Sequence, residues 1–324
     1  MPRSSRYQLS VQDYIDYHEQ GFVIIRGLVS SREVAELRRH TEALMYGRIT
    51  VEGVEPPPAG LSREEQAQHW LRVHMLHRKL DIHERFLLHP RMLDVLETLI
   101  GPDVLALQTM LFLKPPGREG QGYHQDSYYI PTYPDTLCGA WLAIDRADEE
   151  NGCVWLIPGS HHEPIYPDRH KIGQNHADGA IRDLTVIEHA SATDDSINGL
   201  TPIAAKYPGQ EIPAVLDPGD VMIFHSHLLH RSHTNRSQTR FRRAFVGHYC
   251  NARSWVPWNH GMPFEGPSAN YLHILARGNT HLPYAKPKFG TPCAALNPRP
   301  VTAGTPPPMM MGNGKKMTAV TPRA

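Results

Sequence analysis

The chain has 324 residues, with 33 basic and 33 acidic side chains and a formal net charge of zero. That balance excludes a protein built around one strongly charged face, so neither a nucleic-acid groove nor a membrane-surface patch is expected. Four cysteines without C-x-x-C pairing, no apolar signal segment at the start, and no run near the ~18 apolar residues of a membrane span predict reduced thiols and a cytoplasmic protein.

In chain order, Tyr14 to Glu19 reads as a short helix and Phe22 to Ile25 as a buried strand. Ser30-x-x-Glu33 is a capping box, opening a helix in which Val34, Leu37, Thr41, Leu44 and Met45 recur at helical spacing. Residues 51–60 form a proline-rich loop. Ser62-x-x-Glu65 then opens a helix expected to run to about Leu80, and Pro90 to Gly101-Pro102 brackets another. Apolar strands are expected at Val104 to Leu113, Leu137 to Ile144 and Cys153 to Ile157, with Asn151-Gly152 a turn signal between the last two. Pro218-Gly219-Asp220 turns into a fourth, Val221 to Phe224.

Helices first and strands afterwards predict a mainly β fold with N-terminal helices (α+β), its core a double-stranded β-helix of the jelly-roll, cupin-like kind. One domain over 1–294 is expected, with the barrel at about 104–250 and a polar, histidine-dotted insertion at about 162–213. That insertion reads as a lid or as a plain surface excursion. Trp255-Val256-Pro257-Trp258 could cover the barrel mouth, and 295–324, rich in Pro, Gly, Thr and Met, reads as a disordered tail.

The chemistry concentrates in His124-Gln125-Asp126 and, far downstream, His230. On a strand, residues i and i+2 share a face, so a histidine and a carboxylate two apart can grip one ion while the residue between them points away. A second histidine from a distant strand completes a two-His-one-carboxylate set, which leaves three positions of a non-haem Fe(II) free for ligands and O2. An isolated His-x-Asp says little in a chain with 21 histidines, and His225, His227 and His233 crowd around His230. Arg236, Arg240, Arg242 and Arg243 follow. A guanidinium fork suits the far carboxylate of a dicarboxylic acid, and only one of the four is expected to face the site.

Thr109-Met110-Leu111, Lys114-Pro115-Pro116, His124-Gln125-Asp126, Ala140-Trp141, Asn151-Gly152-Cys153, Ile157-Pro158-Gly159-Ser160-His161, Gly219-Asp220 and His230-Arg231-Ser232 occur in an order that resembles the phytanoyl-CoA dioxygenase family of Fe(II)/2-oxoglutarate oxygenases. The resemblance spans about Gly21 to Tyr249. It implies that His124, Asp126 and His230 ligate iron, that Arg242 anchors the distal carboxylate of 2-oxoglutarate with Ser232 bonding to it, and that Met110 and Trp141 line the cosubstrate pocket. The family places its arginine eleven residues after the distal histidine, where this chain has Phe241. Aligning Arg243-Ala244 selects Arg242, with Arg240 as runner-up.

The activity so implied is O2-dependent hydroxylation of an unactivated C–H bond in a small organic substrate, with 2-oxoglutarate converted to succinate and CO2. A carboxylate at Asp126, rather than a small residue that would open a halide position, favours hydroxylation over halogenation. A cupin-like binding or sensor protein is the reading from another class, and a zinc hydrolase a weaker third. Lys114, Arg118 and Lys171 are too scattered in sequence to mark a coenzyme A phosphate site, and the sequence leaves the oligomeric state open.

Overall fold

The structure is a computed structural model and describes residues 6–69, 72–171, 184–254, 256, 273–280 and 286–287. The expected tail at 295–324 and most of the Trp255 to Trp258 segment lie outside the described residues.

The N-terminal part is helical, with helices at Val11–Gln20 (α1), Ser31–Met45 (α2), Arg63–His69 (α3), Asp81–Leu87 (α4) and Pro90–Ile100 (α5). The capping box at the start of α2 is complete: Ser30 Oγ accepts from the Glu33 backbone N–H and the Glu33 carboxylate accepts from the Ser30 N–H at 3.0 Å. The helix expected from Ser62 to Leu80 does not form as one piece. After α3 the chain becomes a strand, Arg72–His74 (β2), which pairs with Phe112, Leu111 and Met110 and buries Val73. Edge pairing with a long neighbour outweighs the local helical pattern here, and Met75 then turns the chain in a left-handed conformation (φ 60°).

The remaining strands are Phe22–Ile25 (β1), Val104–Lys114 (β3), Gln121–His124 (β4), Cys138–Ala143 (β5), Val154–Leu156 (β6), Ile212–Ala214 (β7), Val221–His225 (β8), His230–Ser232 (β9), Arg242–Asn251 (β10), Ile274–Arg277 (β11) and Lys286–Pro287 (β12). They form two sheets. The larger runs β1-β8-β5-β10-β3-β11-β12, with β2 also on β3, and the smaller runs β4-β9-β6-β7. All pairings are antiparallel except β11 with β12. Asn151-Gly152 does turn the chain, Gly152 at φ 74°, but β5 and β6 lie in opposite sheets and the turn carries the chain across the barrel.

Alternation along the strands sorts the large sheet into two faces. Val23, Ile25, Leu111, Leu113, Cys138, Ala140, Leu142, Val221, Ile223, Phe245 and Tyr249 pack outward against the helices. Trp141, Ala143, Met222, Phe224, Ala244 and Val246 point the other way, to meet Val154 and Leu156 of the small sheet and the adjoining Cys153, with Met110 and Phe112 beside them. The inner face is the floor of the site. Among the described residues no helix is long and apolar enough to cross a membrane.

Candidate metal centre and cosubstrate pocket

His124 ends β4 and His230 begins β9, and the two are cross-strand partners, so strand pairing alone brings their rings to 4.0 Å. Asp126 was expected on the same strand, and here the structure differs. β4 stops at His124, and Asp126 is the first residue of a short helix, Asp126–Tyr129 (α6). Gln125 between them remains extended (φ −123°, ψ 129°), which turns the Asp126 side chain to the side of His124 before the helix begins.

The Asp126 Oδ1 atom lies 3.7 Å from His124 Nε2 and 3.8 Å from His230 Nε2. One ligand atom from each of the three residues falls within 4.8 Å of the others. Both imidazoles are oriented by backbone: His124 Nδ1 donates to the Gly122 carbonyl at 3.0 Å and His230 Nδ1 to that of Leu228 at 2.9 Å, leaving each Nε2 lone pair for a cation. Burial, then the neighbouring His230, pushes His124 down to about 3, so it is a neutral donor at physiological pH. Burial acts to raise the Asp126 carboxyl, but His230, His248 and His124 together outweigh it and hold the group below the usual carboxylate range. Two imidazoles, each with its Nε2 turned to the carboxylate, and one ionised carboxylate, all largely buried, suit a divalent iron.

Two residues that the sequence did not single out complete this arrangement. The Gln108 amide donates to His248 Nδ1 at 3.0 Å, and His248 Nε2 then donates to Asp126 Oδ2 at 2.9 Å, leaving Oδ1 to face the histidines. Gln108 and His248 are register partners on β3 and β10, beside a register shift at which Leu107 of β3 is left without a partner on β10. The available signal was periodicity, since His248 shares a face of β10 with Arg242. Replacing His248 with alanine is expected to weaken Fe(II) binding about 10–100-fold without abolishing it, as read by anaerobic titration; unchanged affinity would show that Asp126 needs no outer partner.

Phe224 packs edge-on to His230 at 5.0 Å, and Gly139 makes room for that ring, since a Cβ there would lie 2.4 Å from it. Arg242 starts β10 on the inner face, 4% exposed, with its guanidinium 5.7 Å from the Trp141 ring and 5.9 Å from that of Phe112. Its Nε donates to the Gly152 carbonyl at 3.1 Å, and among the described residues its terminal nitrogens have no hydrogen-bond partner. Arg240 instead holds Asp148 bidentately at 2.7 and 2.9 Å and also Glu150, while Arg243 on the outer face binds Asp145 and Glu42. Arg236 is exposed. Ser232 lies two residues beyond His230 on β9, and its Oγ accepts from the Gln121 N–H at 3.2 Å. Met110 packs with Trp141 in the barrel core.

The other nearby histidines have separate engagements. His227 pairs with Asp135 and bonds to the Glu163 carbonyl, His225 packs on His227 and His161, and exposed His233 sits edge-on to Trp155. A second His/Glu grouping, His170, Glu188 and His189, lies at the surface, and its carboxylate is already held by Arg169 at 2.6 Å.

The described parts of the insertion pack against the strands that carry the triad. Gln125, pointing away from the triad, donates to the Pro164 and His227 carbonyls and accepts from the Tyr166 N–H. Arg231 lies on the Tyr123 ring and forks onto Glu211 at 2.6 and 2.7 Å. Gly122 is approached so closely that a Cβ would lie 1.6 Å from the Ala192 carbonyl oxygen. Tyr129, whose ring is edge-on to His124 at 6.5 Å, shares a 2.5 Å hydrogen bond with Ser191.

A sequence model of the family described as phytanoyl-CoA dioxygenase (PhyH) matches residues 17–244. Peroxisomal phytanoyl-CoA dioxygenase of Bos taurus is 28% identical over 273 residues, which cover 80% of this chain and 72% of that protein. Among solved structures, the non-heme alpha-ketoglutarate-dependent carbocyclase SnoK from nogalamycin biosynthesis superposes with a TM-score of 0.54 at 21% identity, over 76% of this chain and 86% of that one. Apo EctD from S. alaskensis gives 0.57 at 17% identity, over 77% and 79%. These two share the cupin-like barrel. With most of the chain matched, this protein belongs to the phytanoyl-CoA dioxygenase family and is a non-haem iron enzyme that uses 2-oxoglutarate as cosubstrate.

Proposed function

We propose that His124, Asp126 and His230 hold the iron, that Arg242 and Ser232 receive the distal carboxylate of 2-oxoglutarate, and that Met110 and Trp141 wall the cosubstrate. The reaction is hydroxylation of an unactivated C–H bond in a small organic molecule. The observation that carries the reading is the convergence of three ligand atoms inside a barrel whose inner face also presents a buried guanidinium that has no carboxylate partner among the described residues.

Iron and 2-oxoglutarate, when bound, supply an O2-dependent oxidation that yields succinate, CO2 and an oxygenated product. The chain's own share is positional. Gly122 and Leu228 carbonyls fix the imidazole tautomers, and His248 fixes the carboxylate. Apolar side chains of the inner face keep water from the cosubstrate, and Arg242, still cationic though burial pushes it down to about 10, sets which way round the cosubstrate lies.

The described residues 162–170 and 184–213 form the wall of the substrate side, with Tyr129 and Ser191 at its contact with the triad. The substrate is a small polar metabolite or natural-product intermediate rather than an acyl-coenzyme A. In support, Lys114 is buried in the barrel and Arg118 is bonded to the Gln68 carbonyl, so neither is placed to bind phosphate at a mouth. A cytosolic location is kept on the buried free thiols of Cys138, Cys153 and Cys250.

The test is oxygen-dependent succinate release from Fe(II)- and 2-oxoglutarate-loaded protein across a panel of polar metabolites and acyl-coenzyme A thioesters. A polar compound should stimulate release and incorporate one atom of labelled O2. Stimulation by thioesters alone would overturn the substrate class.

A further inference from the structure

Lys114 closes β3, Arg242 opens β10, and the two are register partners. Both point into the barrel, at 2% and 4% exposure. The Lys114 ammonium donates to the His233 carbonyl and, at 3.5 Å, to that of Gly152, the same oxygen that receives Arg242 Nε. Among the described residues neither cation has an acidic partner. The other titratable groups facing Lys114 are the Cys153 thiol beside β6 and the His233 imidazole after β9. Burial and then the adjacent guanidinium push Lys114 down to about 6. Two buried cations side by side are unfavourable unless an anion completes them, and with two N–H groups on carbonyls the ammonium has a third to offer.

We propose that Lys114 is a second cation of the cosubstrate pocket, donating to the distal carboxylate beside Arg242, and that one proton is taken up from solvent when the dianion binds. The inference rests on the reading of Arg242 as the anchor. Without ligand and above pH 6, Lys114 is mostly the neutral amine. Entry of the carboxylate favours the ammonium, so a proton from solvent bonds to Nζ and no other bond changes. Because the protonated form is the one that binds, affinity falls as pH rises above about 6, at a limiting slope of about tenfold per pH unit.

The experiment is anaerobic calorimetry of 2-oxoglutarate binding to the Fe(II)-loaded protein at pH 8, in buffers of different ionisation enthalpy. Uptake should approach one proton per ligand. 2-Oxobutyrate, which keeps the keto-acid and lacks the distal carboxylate, should bind without it. Lys114→Met should bind 2-oxoglutarate about 30-fold or more weakly at pH 6.5 and lose the uptake, whereas Lys114→Arg should keep affinity and flatten its pH dependence. Equal proton counts for the two keto-acids in the wild-type protein would overturn the proposal, and that measurement stands even if a variant fails to fold. If Arg242→Ala weakens binding and Lys114→Met does not, only the lysine inference falls. If Arg242→Ala binds normally, the anchor reading itself has failed.

Discussion

His230→Ala will leave the protein without stoichiometric iron, while His227→Ala and His233→Ala will keep most of it. The sequence offers four crowded histidines here and no local reason to choose among them. The structure supplies one in the partner that each imidazole faces. His230 presents Nε2 to Asp126 Oδ1 at 3.8 Å inside the barrel with its other nitrogen fixed on Leu228. His227 uses both nitrogens elsewhere, on Asp135 and the Glu163 carbonyl. His233 is exposed, its ring edge-on to Trp155 and its carbonyl accepting from Lys114. Removing one of three ligands should cost well beyond the about 10–100-fold that loss of an outer partner does. The measurement is iron per chain after anaerobic loading and desalting, with circular dichroism as the folding control. Retained iron at one per chain in a folded His230→Ala protein would sink the assignment.

What the sequence disclosed was periodic or punctuated. The capping box at Ser30, the Pro90 start of α5 and the apolar strands were legible because each depends on neighbours close in sequence. The break of the helix expected from Ser62 was not, because what decides it is the pairing of Arg72 to His74 with a strand some forty residues away. The His-x-Asp pattern gave the correct convergence of side chains for an incomplete reason. Side-chain direction at Asp126 depends on Gln125 being extended and survives the end of the strand one residue earlier. His248 and Gln108 were missed, and the place of Lys114 beside Arg242 was not read, for a different cause. Each is a polar residue on a largely apolar strand face, and its meaning comes from what the opposite strand presents. The insertion carries little periodicity, and its attachment runs through Gln125, Tyr123 and Arg231, residues interleaved with the triad whose side chains lie away from it.

Arg242→Ala should weaken 2-oxoglutarate binding at least about 30-fold and leave iron in place, because removing one side of a buried charge pair costs about 2–5 kcal/mol. Arg240→Ala should leave cosubstrate affinity nearly unchanged. Arg240 is 37% exposed at its side chain and spends its fork on Asp148 and Glu150, so its loss removes a surface ion pair, worth about 0–1 kcal/mol to stability. Arg242 has its Nε on a carbonyl, its guanidinium near Trp141 and, among the described residues, no partner for its terminal nitrogens. Arg242→Lys should not restore affinity, because an ammonium cannot keep the Gly152 bond and grip two carboxylate oxygens in one plane. Ser232→Ala should cost only about 0.5–1.5 kcal/mol, the ordinary worth of one hydroxyl donor. The readout is the anaerobic titration of 2-oxoglutarate into Fe(II)-loaded protein. A large loss at Arg240→Ala with none at Arg242→Ala would mean that the extra residue between His230 and the anchoring arginine was placed wrongly, and that the buried guanidinium serves the fold.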